Sequence, residues 1–170
     1  MHMINQGNRD AFTCLLTRHI KPVHAHVYRF FQDQALADDI SQETFLRVWS
    51  KSHTWRGGKV KLTTWLHRIT HNLCIDQLRK NKPNDELDED KLVAQQASLD
   101  EQLEQLEVSK QVQLALMRLP VSQRSALILC QFQGLTNKEA ASILQTSVRA
   151  LESLLARARR TLKQQLLRSV

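Results

Sequence analysis

Arg68, Asn72, Asp76 and Arg79 fall on one side of a helical period, together with Ile75 and flanked by Trp65. An amide both donates and accepts hydrogen bonds, and a guanidinium presents a planar fork of donors. Those groups can read the edges of bases. Immediately upstream, Trp55-Arg-Gly-Gly-Lys-Val-Lys-Leu-Thr-Thr-Trp65 sets Arg56, Lys59 and Lys61 and two tryptophans around a glycine pair. Aromatic planes and cations on a flexible loop suit unstacked bases, held by stacking and phosphate contact. The plainer role for Trp55 and Trp65 is core filling, and for Trp65 both roles are compatible.

A second set of side chains suits a protein partner. In Ala37-Asp-Asp-Ile-Ser-Gln-Glu-Thr-Phe-Leu-Arg-Val-Trp49, the residues Ala37, Ile40, Thr44, Phe45 and Val48 share one arc. The opposite arc carries Asp38, Asp39, Gln42, Glu43 and Leu46, with Arg47 at its edge. Leu46 thus stands as an apolar anchor in an acidic rim, the composition of a docking face for a basic protein. Isolated surface leucines are also ordinary, and Asp38 and Asp39 gain from a helix N-terminus.

A third set is metal-like. His67, His71 and Cys74 recur at i, i+4 and i+7 and can share a helix face, with His19, His24 and His26 available to fold against them. No Cys-x-x-Cys or matching His pair accompanies them, so the reading assigns no metal and no cofactor. A metal- or redox-responsive protein using these residues stays open as a rival. The other cysteines, Cys14 and Cys130, sit in helical apolar patterns, the usage of reduced, buried thiols.

The elements that position these residues read as all-α. Gly numbers 4 and Pro 3 in 170 residues, and no stretch alternates long enough for a sheet. From Asp10 to Phe31 an amphipathic pattern runs through Phe12, Leu15, Leu16, Ile20, Val23, Val27 and Phe31, with Pro22 expected to kink or break it. Charge divides the chain in three. Residues 1–80 carry 12 basic and 6 acidic groups, residues 81–107 carry 2 and 9, and residues 108–170 carry 10 and 2, giving +6, −7 and +8 and a net +7. Two basic modules on an acidic tether suit polyanion binding at two places. The expected division is 1–82, a linker at 83–107 that runs into a helix from a capping box at Ser98–Glu101, and 108–170.

In the last module a helix from about Ser122 ends at Gly134. Thr136-Asn-Lys-Glu139 has the form of a capping box, and Ser147 is a fit N-cap after the turn Gln145-Thr-Ser147. In the long helix that follows, Val148, Leu151, Leu155, Ala158 and Leu162 make the inward stripe, and Arg149, Ser153, Ala156, Arg157 and Arg160 point away. Short helix, tight turn and basic second helix describe a helix-turn-helix. A stand-alone regulator of this type, dimeric and with an N-terminal sensing bundle, is the other rival. No phosphate-cradling glycine loop, nucleophile constellation or carboxylate pair points to an enzyme. The longest apolar run, Ala126-Leu-Ile-Leu-Cys130, is far short of a membrane span, and no signal core opens the chain, so a cytoplasmic product is expected.

Asp38-Asp-Ile-Ser-Gln-Glu-Thr-Phe-Leu-Arg-Val-Trp49 and Thr64-Trp-Leu-His-Arg-Ile-Thr-His-Asn-Leu-Cys-Ile-Asp-Gln-Leu-Arg79 resemble the second domain of bacterial extracytoplasmic-function (ECF) sigma factors. Leu119-Pro-Val-Ser-Gln-Arg124, Gly134-Leu-Thr-Asn-Lys-Glu-Ala-Ala141 and Ala156-Arg-Ala-Arg-Arg160 resemble their fourth domain. The resemblance implies two helical domains and a subunit that directs core RNA polymerase to promoters, without catalysis of its own. It implies that Asp38, Asp39, Gln42, Glu43, Phe45 and Leu46 grip a coiled coil of the largest polymerase subunit. It assigns the −10 element to Trp55, Arg56, Lys59, Lys61, Thr64, Trp65, Arg68, Asn72, Asp76 and Arg79, and the −35 element to Arg149, Ser153, Arg157 and Arg160. An anti-sigma factor is the further partner it implies. This chain departs from the family at Glu152-Ser153-Leu154, where a Lys-Ser-Arg run is common, and at Gln145, where glycine is frequent.

Overall fold

A computed structural model describes residues 1–55, 57–58, 60–81 and 103–168. Every regular element among the described residues is a helix, without strands, and the chain falls into two units, 1–28 with 34–83 and 29–33 with 84–170. The expected acidic linker and the Ser98 capping box lie largely or wholly outside the described residues. Among the described residues no helix is long and apolar enough to cross a membrane.

The first unit is assembled from α1 (His2–Asn5), α2 (Arg9–Phe31), α3 (Gln34–Ser50) and α4 (Leu62–Lys80), with a single 3-10 turn, Ser52–Thr54, after α3. Its core joins Ile4, Leu15, Val23, Phe45, Val48 and Leu66, with Phe12, Ile20, Trp65 and Ile69 packed around them. Pro22 does not break α2, which runs on for 23 residues. Pro22 is exposed, and solvent can serve the carbonyl that its missing N–H leaves unpaired. Cys14 is also exposed, a correction to the buried role expected of it, whereas Cys74 is buried and Cys130 half-buried.

The second unit contains α5 (Leu103–Met117), α6 (Val121–Leu127), α7 (Asn137–Ile143) and α8 (Val148–Arg168). The helix expected to run from Ser122 to Gly134 is divided, since α6 passes into one wide turn of π-helix at Ile128–Phe132. Gly134 then takes φ +64°, and Leu135 N–H donates to the Leu129 carbonyl at 3.1 Å, a six-residue closure that only a left-handed residue permits cheaply. The core gathers Leu116, Leu119, Leu127, Leu129, Ile143 and Leu151, with Leu155 and Ala158 completing the α8 stripe. Val148, expected in that stripe, is 40% exposed. It opens the helix, where no preceding turn of α8 covers it.

Candidate nucleic-acid and polymerase interfaces

Helix α3 starts at Gln34, a full turn before Asp38, so its first turn carries no acid. The dipole therefore does not account for Asp38 and Asp39. Both are exposed, as are Gln42 and, at 57%, Leu46. Asp38 is held at one oxygen by His24 Nε2, 3.0 Å away, and Glu43 accepts from Arg47 Nε at 2.8 Å. Phe45 is 2% exposed and belongs to the core, unlike the other residues expected to touch a partner. Between α2 and α3 lies an apolar groove of about 470 Å³, walled by Phe12, Leu16, Ile20 and Phe45 and bordered by Asp38 and Leu46. The outward leucine thus continues an apolar surface and is not an isolated exposure.

Helix α4 separates its residues sharply. Asn72, Asp76 and Arg79 are exposed, Trp65 and Arg68 are half-buried, and Thr64 is 2% exposed. Thr64 sits in the first turn against the core, which removes it from direct reading of DNA. Asp76 and Arg79 lie 3.9 Å apart on the surface, a spacing that contributes little to stability. They share a cleft of about 620 Å³ with Asp39, Glu43 and Arg47 of α3, so the acidic face and the reading helix meet along one edge. In the connecting loop Trp55 is half-buried and lies so close to Gly57 that a β-carbon there would stand 3.1 Å from its ring. Gly58 has φ +91°. Lys61 is exposed at the start of α4, while Arg56 and Lys59 lie outside the described residues.

The histidines do not assemble as a metal cage. Among the described residues no three His, Cys, Asp or Glu side chains form a metal-binding group. Instead His26 of α2 sets its Nδ1 3.2 Å from His67 Nδ1 of α4, with the rings stacked at 5.4 Å, and His71 tilts against His26 at 6.3 Å. Burial lowers His67 and His71 from 6.5 to about 4, and for His67 the nearby His19 adds to the effect. The bond from His24 to Asp38 and the seam at His26 join residues distant in sequence, and helical periodicity carries no signal for either.

In the second unit the capping box is complete. Glu139 N–H donates to Thr136 Oγ1 at 3.3 Å, and Thr136 N–H donates to Glu139 Oε2 at 2.9 Å. Gln145 takes φ +52° where the chain leaves α7, and Thr146 N–H closes onto the Ala141 carbonyl at 3.0 Å. Ala150 N–H donates to Ser147 Oγ at 3.1 Å and starts α8. Arg149, Ser153, Arg157 and Arg160 are all exposed along α8, one basic face with Ala156 among them. Glu152 and Leu154, the departures from the family pattern, have structural partners. Asn137 Nδ2 of α7 donates to Glu152 Oε1 at 3.3 Å, and Leu154 packs on the core. Glu152 thereby ties the two helices of the motif together.

Comparison with known proteins agrees with this geometry. Residues 15–83 match the family described as Sigma-70 region 2, and residues 109–162 match Sigma-70, region 4. The ECF RNA polymerase sigma factor SigM of Mycobacterium tuberculosis is 34% identical over 90% of this chain and 76% of its own length. SigW of Bacillus subtilis, of the same class, is 28% identical over 96% of this chain and 92% of its own. Two solved structures are similar over the whole fold. CnrH in complex with the cytosolic domain of CnrY has TM-score 0.76 and 25% identity, covering 99% of this chain and 96% of that one. The sigma factor RpoE in complex with the anti-sigma factor NepR, from Bartonella quintana, has TM-score 0.70 and 26% identity, covering 92% and 96%. With both sigma regions present in order on an all-helical frame, the chain belongs to the ECF sigma factors of the sigma-70 family.

Proposed function

We propose that this sigma factor docks on core RNA polymerase through Asp38, Asp39, Gln42, Glu43 and Leu46 and engages promoter DNA at two places. The exposed acidic face of α3, with Leu46 at the mouth of an apolar groove, is the observation that carries the first part. A basic coiled coil of the largest polymerase subunit has the complementary charge. Trp55, with Arg56, Lys59, Lys61 and Trp65, traps an extruded base of the −10 element, and Arg68, Asn72, Asp76 and Arg79 read and help melt it. Trapping a flipped base offsets the few kcal/mol that unstacking costs. Arg149, Ser153, Arg157 and Arg160 read the −35 element as duplex, with α8 in the major groove.

Phosphate contacts from the two basic modules supply salt-sensitive affinity, while the loop and the two reading helices supply sequence choice. Each module alone binds weakly. Polymerase holds both, so the second DNA contact becomes effectively intramolecular. Structures similar to this chain are complexes with the cytosolic domain of CnrY and with the anti-sigma factor NepR, which supports an anti-sigma factor as the restraining partner here. The test is reconstitution. Purified chain and core polymerase should associate, start RNA at discrete sites and unpair DNA around −10. Association without any site-specific initiation would defeat the reading.

A further inference from the structure

Four histidines are concentrated between α2 and α4. His19 and His26 come from α2 and His67 and His71 from α4, and His26, His67 and His71 are 0%, 6% and 5% exposed. We infer that this seam makes the N-terminal unit proton-sensitive: neutral imidazoles hold α4 against α2, and mild acid weakens that packing.

The seam is tight enough for charge to matter. Two ring nitrogens 3.2 Å apart cannot both be protonated without like charges in contact, and the stacked rings at 5.4 Å leave no solvent between them. The charged neighbours that act on His19 and His67 oppose protonation. Arg18 and His19 of α2 are cationic or become so, and each opposes a proton on its neighbour. On α4 the adjoining buried group is the Cys74 thiol. The face that α3 buries consists of Ala37, Ile40, Ser41, Thr44, Phe45 and Val48, none of which titrates. Protonation in the unfolded chain is unhindered.

The direction follows from linkage. His67 and His71 bind protons near 6.5 when unfolded and near 4 when folded. Stability is therefore flat above about pH 7, falls as pH drops through 6.5, and levels out below about pH 4. Between pH 7.5 and 5.5 each residue lowers the folded-to-unfolded ratio by about tenfold, and the pair by about 100-fold. Losing the seat of α4 displaces Asn72, Asp76 and Arg79. That consequence for promoter opening rests on the function proposed above, whereas the folding switch itself does not.

All three tryptophans, Trp49, Trp55 and Trp65, lie in the N-terminal unit, so indole fluorescence of the full chain reports this unit alone. Urea titrations at pH 7.5, 6.5 and 5.5 should show the about 100-fold loss for wild type, and the double variant H67Q/H71Q should lose most of that dependence. An unchanged wild-type midpoint across this range, or a double variant with the full wild-type dependence, overturns the inference. Should the variant fail to fold, histidine ring NMR of wild type decides. Two ring signals that stay unprotonated down to about pH 5 in the folded chain support the seam, and signals for both residues titrating near 6.5 without unfolding refute it.

Discussion

Replacing Leu46 with Arg separates docking from folding. Leu46 is 57% exposed in the free chain, so its folding contribution is small and surface substitutions of this kind cost within about 0.5 kcal/mol. Full burial of a leucine is worth about 1.5–3 kcal/mol, and roughly half of that remains to be gained on binding, about 1–2 kcal/mol. Leu46→Ala should therefore weaken association with core polymerase by about 5- to 30-fold. Arg at the same place adds a cation facing a basic partner and partly neutralises the acidic rim of Asp39 and Glu43. Like-charge contact at an interface costs several kcal/mol, so Leu46→Arg should weaken binding by more than about 100-fold. Titrating labelled chain with core polymerase, alongside a thermal melt followed by tryptophan fluorescence, measures both quantities. Leu46→Arg binding within threefold of wild type, with an unchanged melting temperature, would refute the assignment of this face.

Other outcomes are expected in the second unit. Arg149→Ala should weaken binding to −35 duplex by about 1–3 kcal/mol and leave core association untouched; a promoter footprint equal to wild type counts against it. Thr136→Ala removes one arm of the capping box and should cost about 1 kcal/mol, lowering the melting temperature of this unit by about 4 °C as followed by circular dichroism. Gln145→Gly relieves a side chain held at φ +52° and, after the entropy lost by glycine, should raise stability by about 0.5 kcal/mol. A lowered melting point would show that Gln145 contributes a contact worth more than its strain.

What could be read from the residues was whatever depends on local repetition. The two arcs of α3 and the Thr136–Glu139 and Ser147 caps follow from helical spacing and side-chain chemistry within a few residues, and the structure has them. The misses have a different origin. Phe45 and Thr64 were drawn toward partners by family pattern, yet the core of the first unit claims both side chains. Val148 fits the inward period of α8, but it opens the helix, beyond the reach of the packing that buries Leu151. Pro22 forbids one hydrogen bond, and an exposed helix face tolerates that loss. The partnership of His26 with His67 spans 41 residues, a separation that only the folded chain reveals. The helix α1 and the turn Ser52–Thr54 are too short to carry a period at all.

The wide turn at Ile128–Phe132 accommodates one residue more than an α-helical turn would. Removing a single residue there would restore regular winding and leave the flanking residues facing much as before, because the wide turn spreads five residues over nearly the angle that four cover at about 100° each. A one-residue gap in this stretch, among otherwise similar chains, would therefore mark a regularised helix that still delivers Gly134 and the Thr136 cap in nearly the same direction.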